Sequence, residues 1–115
     1  MFAHGALLRK NFFSAEELEA IFKDFRNAGL PSEEVAIMSF AQKVVIQAHQ
    51  VNEQDFEELR KQGLSDEEIL DVIHASAARS FFSKTLDALG AVPDEIYSEL
   101  EPNLVQLFSL GRPFP

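Results

Sequence analysis

Apolar positions recur along this chain at helical spacing, and each run is bracketed by residues that start or stop helices. Ser14-Ala15-Glu16-Glu17 has the form of a capping box, in which a hydroxyl and a carboxylate satisfy free N–H groups reciprocally. Behind it Leu18, Ile21, Phe22 and Phe25 follow the i, i+3, i+4, i+7 rule, and Gly29 is placed to close the helix. Ser32 opens a second long helix with Val35, Ile37, Met38, Phe40, Ala41, Val44, Val45, Ile46 and Ala48. Those residues cover most of its circumference, so this helix is expected to be central and nearly surrounded.

Asn52 caps a short helix with Phe56 and Leu59 inward, ending at Gly63. Ser65-Asp66-Glu67-Glu68 is a second capping box, with Leu64 and Ile69 placed as a hydrophobic staple. The helix it starts extends to Leu89 and stops at Gly90. Pro93 begins a last short helix that Pro102 is expected to interrupt, before an apolar tail with Val105, Leu107, Phe108, Leu110 and Phe114. No alternating pattern of useful length suggests a strand, so the fold class expected is all-α with about five to six helices. Gly29-Leu30 and Gly63-Leu64, each followed by a Ser and paired Glu residues, stand one tetratricopeptide period apart. The small and aromatic residues of that repeat are out of register, and two similar helix starts account for the echo.

The 115 residues fit a single domain, 1–115, able to bury one core without disulfides or metals. No stretch has the length of a membrane span or the form of a signal peptide, and with the absence of cysteine this points to the cytoplasm. A net charge of −9, with the bases forming no stripe, argues against nucleic-acid partners. The acids gather at Glu16-Glu17, Glu33-Glu34, Asp66 to Glu68 and Asp94-Glu95. Each group stands at a helix start, where negative charge complements the macrodipole, so no metal and no cofactor is expected. Eleven Phe residues, the apolar second helix and the tail from Leu104 to Phe114 leave more apolar surface than a soluble monomer normally exposes. A homo-oligomer is the expected state.

Three histidines are the side chains that ordinarily titrate near neutrality. His49 falls in the last turn of its helix, a structural position for a cation. His74 lies on a helical wheel within the arc of Leu70, Ile73, Ala77, Ala78 and Phe81, opposite Ser76, Arg79, Ser80, Ser83 and Asp87. That placement predicts a packed, neutral imidazole with one hydrogen bond rather than a relay partner of His4. His4 precedes Gly5 in a short amphipathic stretch with Leu7, Leu8 and Phe12. No nucleophile triad, zinc motif or phosphate loop accompanies these residues.

Three pieces of sequence stand in a more specific arrangement: Phe40-Ala41-Gln42-Lys43, then Val51 to Arg60, then Gly63-Leu64-Ser65-Asp66-Glu67-Glu68-Ile69-Leu70-Asp71. With the closing Phe81-Phe82-Ser83-Lys84 and Leu86-Asp87-Ala88-Leu89-Gly90, this resembles the peroxidase-related branch of the AhpD-like, or carboxymuconolactone decarboxylase, superfamily over roughly residues 4 to 95. The resemblance implies an AhpD-like helical domain, homo-oligomers (dimers, trimers or hexamers) and thiol-dependent hydroperoxide reduction, an antioxidant activity. In that chemistry one Cys of a C-x-x-C pair attacks the peroxide, the other resolves the sulfenic acid, and a His and a Glu relay protons. Met1 to Arg9 is similar to the segment directly after the second Cys, so His4 stands at the family's His and the thiol pair would lie immediately before Met1. The upstream Glu has no counterpart here, and Ser80 and Ser83 stand where the family has Asn. Three readings follow: a protein whose thiols are encoded upstream, a thiol-free interaction or regulatory subunit of the same fold, and an unrelated helical adaptor. Under each of them the chain by itself is expected to lack peroxidase activity.

Overall fold

A computed structural model describes residues 1–109, so the expectations for Leu110 and Phe114 lie outside the described residues. Within that range the chain forms six α-helices and no strand. These are α1 (Phe2–Asn11), α2 (Ala15–Asp24), α3 (Ser32–Gln47), α4 (Glu53–Lys61), α5 (Asp66–Leu89) and α6 (Pro102–Phe108), with 3₁₀ turns at Phe25–Asn27, Ala48–Gln50 and Glu95–Glu99. They fall into two compact units, one of Met1–Gly29 together with the chain from Gly90 on, the other of Leu30–Leu89. No helix among the described residues is long and apolar enough to cross a membrane.

In the first unit α1, α2 and α6 converge on Phe2, Ala15, Leu18, Leu104 and Phe108. The Phe108 ring meets Phe2 edge-on at 5.9 Å between centroids and tilts against Phe22 at 4.9 Å. Space for that ring exists because position 5 is glycine: a Cβ there would stand 2.6 Å from Phe108 Cζ. Ser14 begins α2 as the sequence predicts, its Oγ accepting from Glu17 N–H at 3.1 Å while the Glu17 carboxylate accepts from Ser14 N–H at 2.7 Å. Arg9 of α1 donates to Glu101, just before α6, in a pair 2.6 Å long. That hydrogen bond holds the Glu101 carboxyl below its usual range. Pro102 corrects one expectation: it occupies the first turn of α6 and opens that helix, because its missing N–H is a group no helix start can use. Gly29 likewise follows a 3₁₀ turn rather than ending α2 directly.

The second unit packs α3, α4 and α5 around Phe40, Leu59, Leu64 and Ile69. Its tightest junction joins α4 to α5. Gly63, at φ +99°, donates to the Arg60 carbonyl, and Leu64 N–H reaches back to the Leu59 carbonyl at 3.2 Å. This is a Schellman motif, which needs a left-handed residue at that point and brings Leu64 onto Leu59. Ser65 and Glu68 then form the expected capping box, with Leu64 and Ile69 both buried as its staple. Asn52 and Asp55 cap α4 in the same way. Asp55 also accepts from Lys43 of α3 at 2.7 Å, chiefly through which its carboxyl titrates below the ordinary range. Arg60 gathers Glu53, Glu57 and Asp66 at 2.6 to 2.9 Å, which keeps it firmly protonated.

The expectation that α3 is nearly surrounded does not hold within its unit. Phe40 is its one buried residue, while Ile46 stays 67% exposed. The unit supplies α4 and α5 to cover α3, and two helices cannot cover an apolar circumference.

Candidate functional site

His4 lies in the first turn of α1, whose inward residues are Phe2 and Gly5. The helix turns its imidazole outward, where it is exposed and makes no hydrogen bond with any described residue. No described residue holds the ring in one tautomer, and the ring is exposed.

In the second unit, α3 and α5 form the walls of an open groove of about 600 Å³. Ala41, Gln42, Val45 and Ile46 line it from α3, and Ala75, Ser76, Arg79, Ser80, Ser83 and Lys84 from α5. Sequence reasoning placed the serines of α5 on the solvent side; the structure turns three of them inward. Ser76, Ser80 and Ser83 are half-buried beside α3, whereas Leu70, His74, Ala77, Ala78 and Phe81 point to solvent; Ile73 of the same arc packs on the Phe40 core, and Arg79 and Asp87 are exposed as expected. Small side chains at the contact explain the difference. Serine lets two helices approach closely, and its hydroxyl need not be stranded, since Ser76 Oγ donates to the Val72 carbonyl one turn back at 2.7 Å. The signal available in the sequence was the i, i+4 run of small residues at 76 and 80, opposite Ala41 of α3. Arg79 leans over the Phe82 ring at 5.6 Å and donates to Ser83 Oγ at 3.3 Å, which sets it along the groove's rim.

The exposed His74 corrects the expectation of a packed, hydrogen-bonded imidazole: its ring has no hydrogen bond among the described residues. Of its apolar neighbours on the wheel Ile73 packs on the core, but no element of the unit lies over Leu70, Ala77, Ala78 and Phe81. His49 falls in the 3₁₀ turn after α3 and is exposed as well. Among the described residues no three His, Asp or Glu side chains gather as a metal-holding cluster. Of the sequence-selected positions in this unit, Ser80 and Ser83 share the groove, and His49 and His74 do not line it.

No family profile matches the chain, and no curated protein sequence matches it significantly. Among solved structures it is similar to the AhpD core of an uncharacterized peroxidase-related protein from Ralstonia eutropha JMP134. The two superpose with a TM-score of 0.75 at 30% sequence identity, over 84% of this chain and 50% of the other. The chain therefore spans half the length of the solved relative it matches. The helix order thus agrees with the sequence resemblance, and the chain has an all-α, AhpD-like fold.

Proposed function

We propose that this chain is the thiol-free helical part of an AhpD-like protein that reduces hydroperoxides, with His4 at the proton-relay position. The likeness to a peroxidase-related AhpD core at 30% identity carries this reading. The chemistry divides cleanly. A thiolate attacks the distal peroxide oxygen, the O–O bond breaks, and the alkoxide takes a proton to leave as alcohol. A second thiol then condenses with the sulfenic acid, releasing water and forming a disulfide that an external dithiol reduces. None of the 115 residues is a cysteine, so both thiols must come from outside them. What the chain contributes is an imidazole that holds or passes the proton. The exposed His4 ring, on the first turn of α1, is accessible to thiols placed just before Met1.

Peroxide consumption with dithiothreitol or a dihydrolipoyl donor tests the division. The 115-residue chain should not exceed the buffer blank, and turnover by it would overturn the reading. The same chain preceded by its own upstream codons should turn over, and His4→Ala in that longer protein should slow it by about 10²-fold or more. A stop codon in frame directly before Met1, or an upstream segment without a thiol pair, would leave the second reading in possession: a thiol-free interaction or regulatory subunit of the same fold. The apolar residues that α3 and α5 leave exposed favour that alternative.

A further inference from the structure

The cations of the second unit are unequally neutralised. Lys43, Arg60 and Lys61 are each ion-paired to a carboxylate. Arg79 and Lys84, the remaining basic residues between Leu30 and Leu89, both line the groove of about 600 Å³ between α3 and α5. Neither has a carboxylate partner among the described residues, and Asp87, one turn beyond Lys84, makes no ion pair with it. In a chain of net charge −9, uncompensated positive charge is thus concentrated beside one feature.

The rest of the lining suits an alkyl chain. Ala41, Val45 and Ile46 of α3 and Ala75 of α5 present carbon to the groove. Val45 and Ile46 are 47% and 67% exposed, so an apolar occupant gains by covering surface that the fold leaves in water. From Ala75 to Lys84 the α5 wall extends about 14 Å at roughly 1.5 Å per residue, the reach of an extended chain of about ten carbons. The volume lies within the range that holds small organic ligands.

Polar groups are placed to receive a head group. Arg79 spends one N–H on Ser83 Oγ and rests over the Phe82 ring, which leaves the rest of its fork without a protein acceptor among the described residues. The half-buried Ser80 hydroxyl has no hydrogen-bond partner among them either. A guanidinium fork matches the two oxygens of a carboxylate. A phosphate is served less well, because its oxygens commonly take amides at a helix N-terminus, and this stretch lies in the middle and later turns of α5.

We propose that the α3–α5 groove binds a single-chain aliphatic carboxylate of about ten carbons, its head on Arg79 and Lys84 and its chain along Ala41, Val45, Ile46 and Ala75. The site is independent of the peroxidase reading, since it involves neither His4 nor any thiol.

Isothermal titration calorimetry of the whole chain with sodium decanoate tests it, with circular dichroism confirming that each variant is folded. Decanoate should bind saturably, one molecule per chain, and affinity should rise about twofold or more per methylene from hexanoate to decanoate. Acetate has the charge without the chain, and decyltrimethylammonium has the chain with the opposite charge; each should bind at least about tenfold more weakly. Arg79→Gln and Lys84→Gln should each weaken decanoate about threefold or more. Ala75→Phe, which fills the groove from an exposed position, should abolish binding. No saturable binding of decanoate, the result expected if a second copy or another protein occupies the groove, would overturn the proposal. Equal affinity for decyltrimethylammonium would do the same, and so would charge and Ala75 variants that bind like the wild type, the pattern of adsorption to apolar residues elsewhere on the chain.

Discussion

Both units of this chain bury a core, and they differ in how much apolar surface their helices leave outside it. In the first, three short helices enclose a core in which Leu18, Leu104 and Phe108 are all but inaccessible, and three aromatic rings besides Phe108 (Phe2, Phe22 and Tyr97) pack against it or each other. In the second, the two longest helices of the chain meet along a face of alanines and serines and leave Val45, Ile46, Leu70, Phe81, Phe82, Leu86 and Leu89 exposed. The difference lies in what each helix offers its neighbour. The short α2 and α6 turn their apolar residues largely to one side, with Leu7 of α1 and Phe12 after it left exposed, whereas α3 and α5 carry apolar residues on more than one arc and have too few partners. A core that closes within its own unit serves stability, and a surface left open is available for assembly.

Disrupting the closed core should have the largest effect. Phe108→Ala removes the ring on which α1, α2 and α6 converge and should cost about 3–5 kcal/mol in urea unfolding. Loss of amide-exchange protection should be concentrated in α1, α2 and α6, and equal loss in α4 and α5 would refute the contrast between units. Adding atoms to the same core is the converse test. Gly5→Ala improves intrinsic helix propensity by about 1 kcal/mol, yet its methyl group would collide with a Phe108 ring that has nowhere to move. A net destabilisation of about 1–3 kcal/mol is expected, and a stabilised variant would show that the ring has freedom the packing denies it.

The caps should come next and should be similar in both units. Ser14→Ala and Ser65→Ala each remove the acceptor for one N–H at a helix start, at a cost of about 1 kcal/mol apiece by thermal or urea unfolding. Acid should reveal a smaller term, which in the second unit comes from the Lys43–Asp55 pair. The Asp55 carboxyl, held by Lys43, titrates below its ordinary value of 3.8 when folded. Its contribution to stability is therefore complete above that value and is lost as pH falls through the lower, folded one. The pair is partly exposed, so less than about 1 kcal/mol is at stake. Lys43→Met should flatten the decline in stability between about pH 5 and pH 2 by that amount, and an unchanged acid profile would count against the pairing. Smallest of all should be Ile46→Ser on the open face of α3, within about 0.5 kcal/mol of the parent in the unfolding of the isolated chain.

Much of this was legible in the residues. Ser14, Asn52 and Ser65 announced three helix starts, and the same capping bonds are present in the structure, because a cap is made between residues three apart and needs nothing from the rest of the fold. Gly63 marked a helix end for a similarly local reason: a Schellman turn requires a left-handed residue, and glycine adopts it without strain. His4 was singled out only by the resemblance of Met1 to Arg9 to a family segment, and no rule of spacing or composition selects it. Pro102 was read in the wrong sense because a proline that stops one helix and a proline that starts another look alike until the partners of the surrounding carbonyls are known.

The sequence by itself determined the all-α class, the limits of most helices and the absence of any thiol among these residues, since each follows from local hydrogen bonding or from plain composition. Which face of a helix is inside was decided only by the tertiary structure. On α5 the arc with Leu70, His74 and Phe81 had the better claim to burial by hydrophobicity, yet the serine arc lies against α3, because close approach of two helices depends on side-chain size as well as on polarity. Hydrophobic periodicity identifies arcs that gain by leaving water; whether another element is there to receive them depends on contacts between residues far apart in the chain.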